Sequence, residues 1–162
     1  MHKKYKKSLT LTLFCALALT TASVFSQNCN TVLQVEKNRN FKSADEDGAV
    51  FNLVLKNQSS AKNTYTIATK FLPTACNNDT YQKTSPNVSL ANHLLSSESK
   101  SLSNNMVELL PGQTYSFKVM VEAPSNNDYG KWSCIEVSAV SSNCKEAATT
   151  VLSVYLADPT EE

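Results

Sequence analysis

Between Pro111 and Pro124 the chain alternates in character at every residue. Tyr115, Phe117, Val119 and Val121 fall on one side, and Thr114, Ser116, Lys118 and Glu122 on the other. A period of two places apolar residues on one face of an extended strand and polar residues on the other, so such a strand needs a second layer to cover its apolar face. The same pattern recurs in five further stretches. "TVLQVE" sets Leu33 and Val35 against Gln34 and Glu36, and "GAVFNLVLKN" sets Ala49, Phe51, Leu53 and Leu55 against Asn52 and Lys56. "NTYTIATKF" offers Tyr65, Ile67, Thr69 and Phe71 against Thr64, Thr66 and Lys70. "KWSCIEVSAV" turns Ile135, Val137 and Ala139 inward and Trp132, Cys134 and Glu136 outward, and "TTVLSVYLAD" closes with Leu152, Val154 and Leu156 inward.

Six strands with polar outer faces, joined by Asn-, Ser-, Gly- and Pro-containing turns, predict an all-β antiparallel sandwich. Helical periodicity is nearly absent, and "LANHLLSSES" is its one short candidate. The Ser/Asn-rich stretch from Pro73 to Asn105 is longer than an ordinary connection. It is expected to hold a seventh strand around Val88 to Leu95, and to be functional, mobile or both.

The first 26 residues read as a cleavable secretory signal. Lys3, Lys4, Lys6 and Lys7 form a positive start, Leu9 to Leu19 an apolar centre, and small and polar residues follow to Ser26. The apolar run is short and Thr-rich against the ~20 residues of a membrane span. Phe14 stands before Cys15 where a lipoprotein cysteine needs a small neighbour. Residues 27–162 are then one domain. Without the leader the 15 basic residues fall to 11 against 14 acids, a formal charge of −3. No basic stripe forms, which argues against nucleic acid and anionic membrane as partners. Cys29, Cys76, Cys134 and Cys144 remain, an even number in an exported chain, and point to two disulfides. A zinc site would want close cysteine pairs, whereas the nearest two here are ten apart.

The runs "FNLVLKNQSSAKNTYTIATKF", "VELLPGQTYSFKVMVEAP" and "YGKWSCIEVSAVSS" carry a resemblance. A strand ending in Asn precedes one beginning Tyr-x-Ile, a Pro-Gly turn leads to a strand ending in Pro, and Gly-x-Trp follows. Over Gly48 to Leu156 the chain resembles bacterial Ig-like or fibronectin-type-III-like domains of the kind attached to secreted glycosidases and adhesion-related surface proteins. The resemblance implies a single Ig-like sandwich of about seven strands. It also implies a topology in which Cys29 and Cys144 share one end of the sandwich, and Cys76 and Cys134 the other. Cys29–Cys144 and Cys76–Cys134 are therefore the expected pairs, since an extended strand from Cys134 to Ser142 carries Cys134 far from Cys144.

Chemistry is thinly represented. His93 is the single histidine after the leader, and the chain has three glycines, no G-x-S-x-G elbow, no HExxH and no phosphate loop. His93 is expected in a loop, so a small secreted hydrolase is a distant third reading. "SADEDGA" brings Asp45, Glu46 and Asp47 into one loop, and the Ig-like topology sets Asp128 at the same end. Asp45, Asp47 and Asp128 are candidate Ca²⁺ ligands, although a solvated turn around Gly48 accounts for the same residues. Otherwise no cofactor is expected. Trp132, with Tyr129 nearby, either offers a sugar-stacking platform or packs beneath the long Ser/Asn-rich stretch. The resemblance implies a bacterial chain, in which the Asn-x-Ser/Thr matches at Asn57, Asn78 and Asn87 would be incidental. The expectation is a non-catalytic binding, structural or adhesive module in the periplasm or at the cell surface. It would contact another envelope or extracellular protein through loop ends or an open strand edge. A carbohydrate-binding module, taking a glycan on Trp132 and Tyr129, is the alternative.

Overall fold

A computed structural model describes residues 30–73, 87–125, 128–144, 146–158 and 160. In chain order the strands are β1 (Thr31–Val35), β2 (Phe41–Ala44), β3 (Ala49–Asn57), β4 (Asn63–Phe71), β5 (Asn92–Ser96), β6 (Met106–Leu109), β7 (Thr114–Val121), β8 (Trp132–Ser141) and β9 (Ala147–Leu156). One sheet runs β1-β3-β7-β5 and the other β2-β9-β8-β4-β6. All neighbours are antiparallel except β2 and β9, which are parallel. The chain is thus all-β, and its two-sheet order is that of an Ig-like domain. Nothing in it singles out the fibronectin-type-III-like variety.

Alternation decides the core. In β3, Ala49, Phe51, Leu53 and Leu55 are buried while Val50 and Asn52 face solvent. In β7, Phe117, Val119 and Val121 meet them in register, so Leu53 lies opposite Phe117 and Phe51 opposite Val119. From the other sheet Tyr65, Ile67, Ile135, Val137, Leu152, Val154 and Leu156 close the layer. Burying side chains of this size contributes roughly 1.5–3 kcal/mol each. The Tyr65 hydroxyl, at the heart of this layer, finds the Thr31 Oγ1 at 3.2 Å.

Strand count, and the exposure expected of two β8 residues, need correction. Among the described residues there are nine strands, against about seven expected. The two unforeseen ones, β2 and β6, are four residues each, too short for alternation to show. The strand expected at Val88 to Leu95 is β5, displaced to Asn92–Ser96. Cys134 and Trp132, assigned outward by phase, are nonetheless buried, because the outer face of the sheet is covered there.

Cys134 and Cys144 are each disulfide-bonded. Seven residues of straight β8 beyond Cys134, roughly 23 Å, keep them from one another. Their expected partners Cys29 and Cys76 lie outside the described residues, as does the segment 1–29.

The chain passes between sheets twice at the flanks. After β1 a 3-10 turn, Glu36–Asn38, hands it from the first sheet to β2 in the second. After β5 the chain crosses again through a second 3-10 turn, Ser103–Asn105, to β6. At the end of the sandwich Gly48 closes the turn that begins at Asp45. Its φ is +77°, and a Cβ there would stand 2.3 Å from the Val121 carbonyl oxygen, so no other residue fits. Within Pro73–Asn105, the described part starts and stops at one place. Asn87 N–H donates to Pro73 O at 3.3 Å, and Asn87 Nδ2 donates to Leu72 O at 2.7 Å.

Candidate functional site

Four strands end the two sheets, and each exposes a line of backbone groups unless something blunts it. On β5 the covering is a returning segment: Leu102 N–H donates to Leu94 O, and Ser96 N–H donates to Lys100 O. On β6 a Lys62–Glu108 ion pair of 2.9 Å stands at the edge, and the Leu109 carbonyl is taken by Asn57 Nδ2 at 3.0 Å. β2 itself covers the lower half of β9, pairing with Ser153 to Leu156.

Among the described residues no strand is hydrogen-bonded to the upper half of β9, Ala147 to Leu152, on that side, although β1 of the other sheet lies close to it. Backbone direction follows from two bonds. Ser153 N–H donates outward to Asn40 O, whereas Leu156 N–H donates to Lys131 O on the β8 side. Successive residues alternate, so Ala147, Thr149 and Val151 direct their N–H and C=O groups away from β8. The same parity applies to β1. Gln58 N–H donates to Asn30 O, so the even residues Val32 and Gln34 bond to β3, and Thr31, Leu33 and Val35 aim their backbone groups at the same flank. On this flank Ala148 and Thr150 point inward and are half-buried, with Ala148 packed against the core. "AATTVL" contains no charge, proline or glycine. An uncharged outer-face row, Ala147–Val140–Thr66–Met106, begins at this edge and crosses the sheet.

The sequence-nominated residues lie elsewhere. Trp132 is 5% exposed, with its ring tilted between Phe41 at 5.5 Å and Tyr155 at 5.3 Å. Its ring is therefore not open as a sugar platform: Phe41 of β2 and Tyr155 of β9 lie against it. Val88 of the long Ser/Asn-rich stretch donates its N–H to the Trp132 carbonyl, while Tyr129 sits half-buried in the turn before β8. The turns of Asp45 and Asp128 share one end of the sandwich, where Ala157 N–H donates to Ala44 O and Gly130 N–H to Leu156 O. The side chains are not brought together as a Ca²⁺ site. Asp45 Oδ1 accepts from Asp47 N–H at 3.0 Å. Asp128 accepts from Ser125 Oγ at 2.7 Å and from Lys131 Nζ at 3.2 Å. The Ser125 hydroxyl, and after it Lys131, hold the Asp128 carboxyl below its usual value. Among the described residues no group of three His, Cys, Asp or Glu side chains is placed to hold a metal ion. His93 is on β5 and not in a loop, and its Nε2 meets Glu122 Oε1 at 2.6 Å with both side chains about half exposed. The Asn57 and Asn87 side chains are buried with their amide nitrogens donating to carbonyl oxygens. Asn78 lies outside the described residues.

Sequence reasoning missed the Asn57 network. Its Nδ2 donates to Ala61 O at 2.8 Å and to Leu109 O, and its Oδ1 accepts from Ser59 Oγ at 2.6 Å. Asn63 Nδ2 donates to Ser59 Oγ, and Asn143 Nδ2 donates to Asn63 Oδ1 at 2.7 Å. The loops after β3, β6 and β8 are thereby tied together. No helix among the described residues is long and apolar enough to cross a membrane.

No family model matches the chain, and no curated protein does. Among solved structures it is similar to the CooA pilin subunit from enterotoxigenic Escherichia coli, at 10% identity and a TM-score of 0.47, over 80% of this chain and 99% of that one. A family 123 glycoside hydrolase from Clostridium perfringens is similar at 8% identity and 0.47, over 80% of this chain and 28% of that one. The CsuC-CsuE chaperone-tip adhesion subunit pre-assembly complex from Acinetobacter baumannii is similar at 10% and 0.44, over 78% and 57%. The chain thus spans just over a quarter of the hydrolase chain and just over half of the Acinetobacter one. These are resemblances of shape and carry no functional inference.

Proposed function

We propose that this protein is an exported, non-catalytic binding module that takes an extended segment of another envelope or extracellular protein onto the upper edge of β9. The observation that carries the proposal is that edge: three outward-directed N–H and C=O pairs at Ala147, Thr149 and Val151, on a run without charge or proline. Strand addition draws its affinity from such main-chain groups and its selectivity from the alternate side chains. Export is supported by the leader-like first 26 residues and by the even number of cysteines that remain. The proposal includes the pairs Cys29–Cys144 and Cys76–Cys134, each contributing about 2–4 kcal/mol.

Cross-linking in the native cells, followed by pull-down and mass spectrometry, tests it. One partner should be recovered in near-equal amount. Thr149→Pro removes an outward N–H without touching the β8 ladder; it should abolish recovery, while Thr149→Ala retains it. Recovery with Thr149→Pro at the unmodified level, or of this protein alone, would sink the edge as the binding surface.

A further inference from the structure

Lys37, Arg39 and Lys42 line one depression of about 110 Å³, together with Val35, Glu36 and Asn52. That volume is several times the ~10–15 Å³ that admits a water. Arg39 is the chain's single arginine. Among the described residues none of the three cations is in an ion pair, and Glu36 is the one acid at the rim. In a chain whose charge is −3 once the expected leader is removed, this is a local excess of positive charge.

One of the cations is also held in place, and the backbone of another is constrained. The Lys42 ammonium sits 5.6 Å from the centre of the fully buried Phe51 ring, a cation–π distance. Lys37 and Asn38 take φ of 57° and 54°, two consecutive left-handed residues that are not glycine. Asparagine tolerates that region because its short polar side chain bonds locally, whereas lysine has no such compensation. Backbone strain of this kind, beside converging charge and an open depression, is where function is sought.

We infer that the depression at the β1–β2 crossing is an oxyanion site, taking a carboxylate or phosphate group. Arg39 supplies a forked, permanently charged donor suited to two oxygens of one group, and Lys37 and Lys42 supply point charges. The oxyanion comes either as a free ion or on an acidic segment of a protein, and two probes separate these sources.

The full exported chain, labelled with ¹⁵N, is titrated at low ionic strength with inorganic phosphate and, separately, with triglutamate, against sodium chloride of matched ionic strength. Saturable amide shifts confined to residues 35–42 and 52 are expected, with half-saturation on the order of millimolar. They should weaken several-fold at ~150 mM salt. Tighter binding of phosphate identifies a free ion, and tighter binding of triglutamate a protein-borne carboxylate. Arg39→Gln with Lys42→Gln should abolish the shifts, while Lys100→Gln, which removes a lysine paired with Glu98, leaves them intact. Shifts that never saturate, that spread over the lysine-bearing surface, or that persist in the double variant overturn the site. Were the double variant to fold poorly, the map for the unmodified chain decides alone, since shifts outside residues 35–42 and 52 overturn it too.

Discussion

The two flank crossings, where the chain passes between edge strands of the two sheets, do the same topological work with different materials. Each is built on a 3-10 turn with two consecutive non-glycine residues at positive φ, Lys37 and Asn38 in one, Asn104 and Asn105 in the other. The second crossing folds back on β5, gives its backbone to Leu94 and Ser96, and lays Leu102 against the core. Both left-handed residues of its 3-10 turn are asparagine, the non-glycine residue best suited to that region. Neither 3-10 turn buries a residue, but the first crossing puts a lysine at positive φ, gathers three cations, and stops at Asn40, below the open half of β9. One flank is finished for stability. The other retains free backbone, strain and unpaired charge, which are the materials of recognition.

The sharpest way to break that contrast is at the far end of the closed flank. Asn57 is fully buried and anchors β6 through Leu109 O. Asn57→Ala takes away the donor to Leu109 O and the acceptor of the Ser59 N–H, while Ala61 O and the Ser59 hydroxyl keep each other. At about 1–3 kcal/mol for a buried group left unsatisfied, a loss of roughly 3 kcal/mol is expected in urea denaturation. Thr149→Ala, on the open flank, should stay within about 0.5 kcal/mol. Equal losses at the two positions would mean the flanks do not differ in the way described.

Next in size is Leu102→Ala. Leu102 is half-buried against the core, so its truncation should cost about 1–2 kcal/mol. Arg39→Ala, at the corresponding place in the other crossing, should change stability by less than about 0.5 kcal/mol while removing anion-dependent shifts. A loss at Arg39 as large as that at Leu102 would make the first crossing a structural clamp and weaken its assignment as a site.

Legibility follows the same divide. Long strands such as β3, β7 and β8 announce themselves because eight to ten residues hold enough alternation to show a face. β2, "FKSA", has one fully buried residue, Ala44, and β6 lies at the end of a Ser/Asn-rich run, so neither carries a readable period. Missing β2 had a consequence for Trp132. Its outward phase was read correctly, but Phe41, which covers it, belongs to the strand that could not be foreseen. The Asp45 and Asp128 turns were placed at one end correctly, yet each side chain is satisfied within its own turn. Local sequence fixes which loop a carboxylate occupies; it says nothing about whether the nearest donor is a cation in solution or a serine three residues away. The Asn57 network was hidden for the opposite reason, since its partners lie up to 52 residues away in sequence. The open edge of β9 was foreseen as a kind of site but not as a position. Strand neighbours depend on where β2 begins, and no residue of "AATTVL" records that.

The smallest predicted effect tests the contrast most directly, because it exchanges the materials of the two crossings. Lys37 stands at φ 57° and Asn104 at φ 55°, both at exposed positions in 3-10 turns. Left-handed backbone costs an ordinary residue about 1–2 kcal/mol, and asparagine less. Lys37→Asn should therefore stabilise by about 0.5–1 kcal/mol, and Asn104→Lys should destabilise by a similar amount, each about 2–4 °C in Tm. Neither substitution removes a buried contact, so backbone preference is the term that moves. If Lys37→Asn stabilises and also weakens phosphate-dependent shifts, the strain at this crossing is retained for the lysine's charge. If Lys37→Asn fails to stabilise while Asn104→Lys destabilises, lysine is making a compensating contact at the first crossing, and strain ceases to be an argument for a site there.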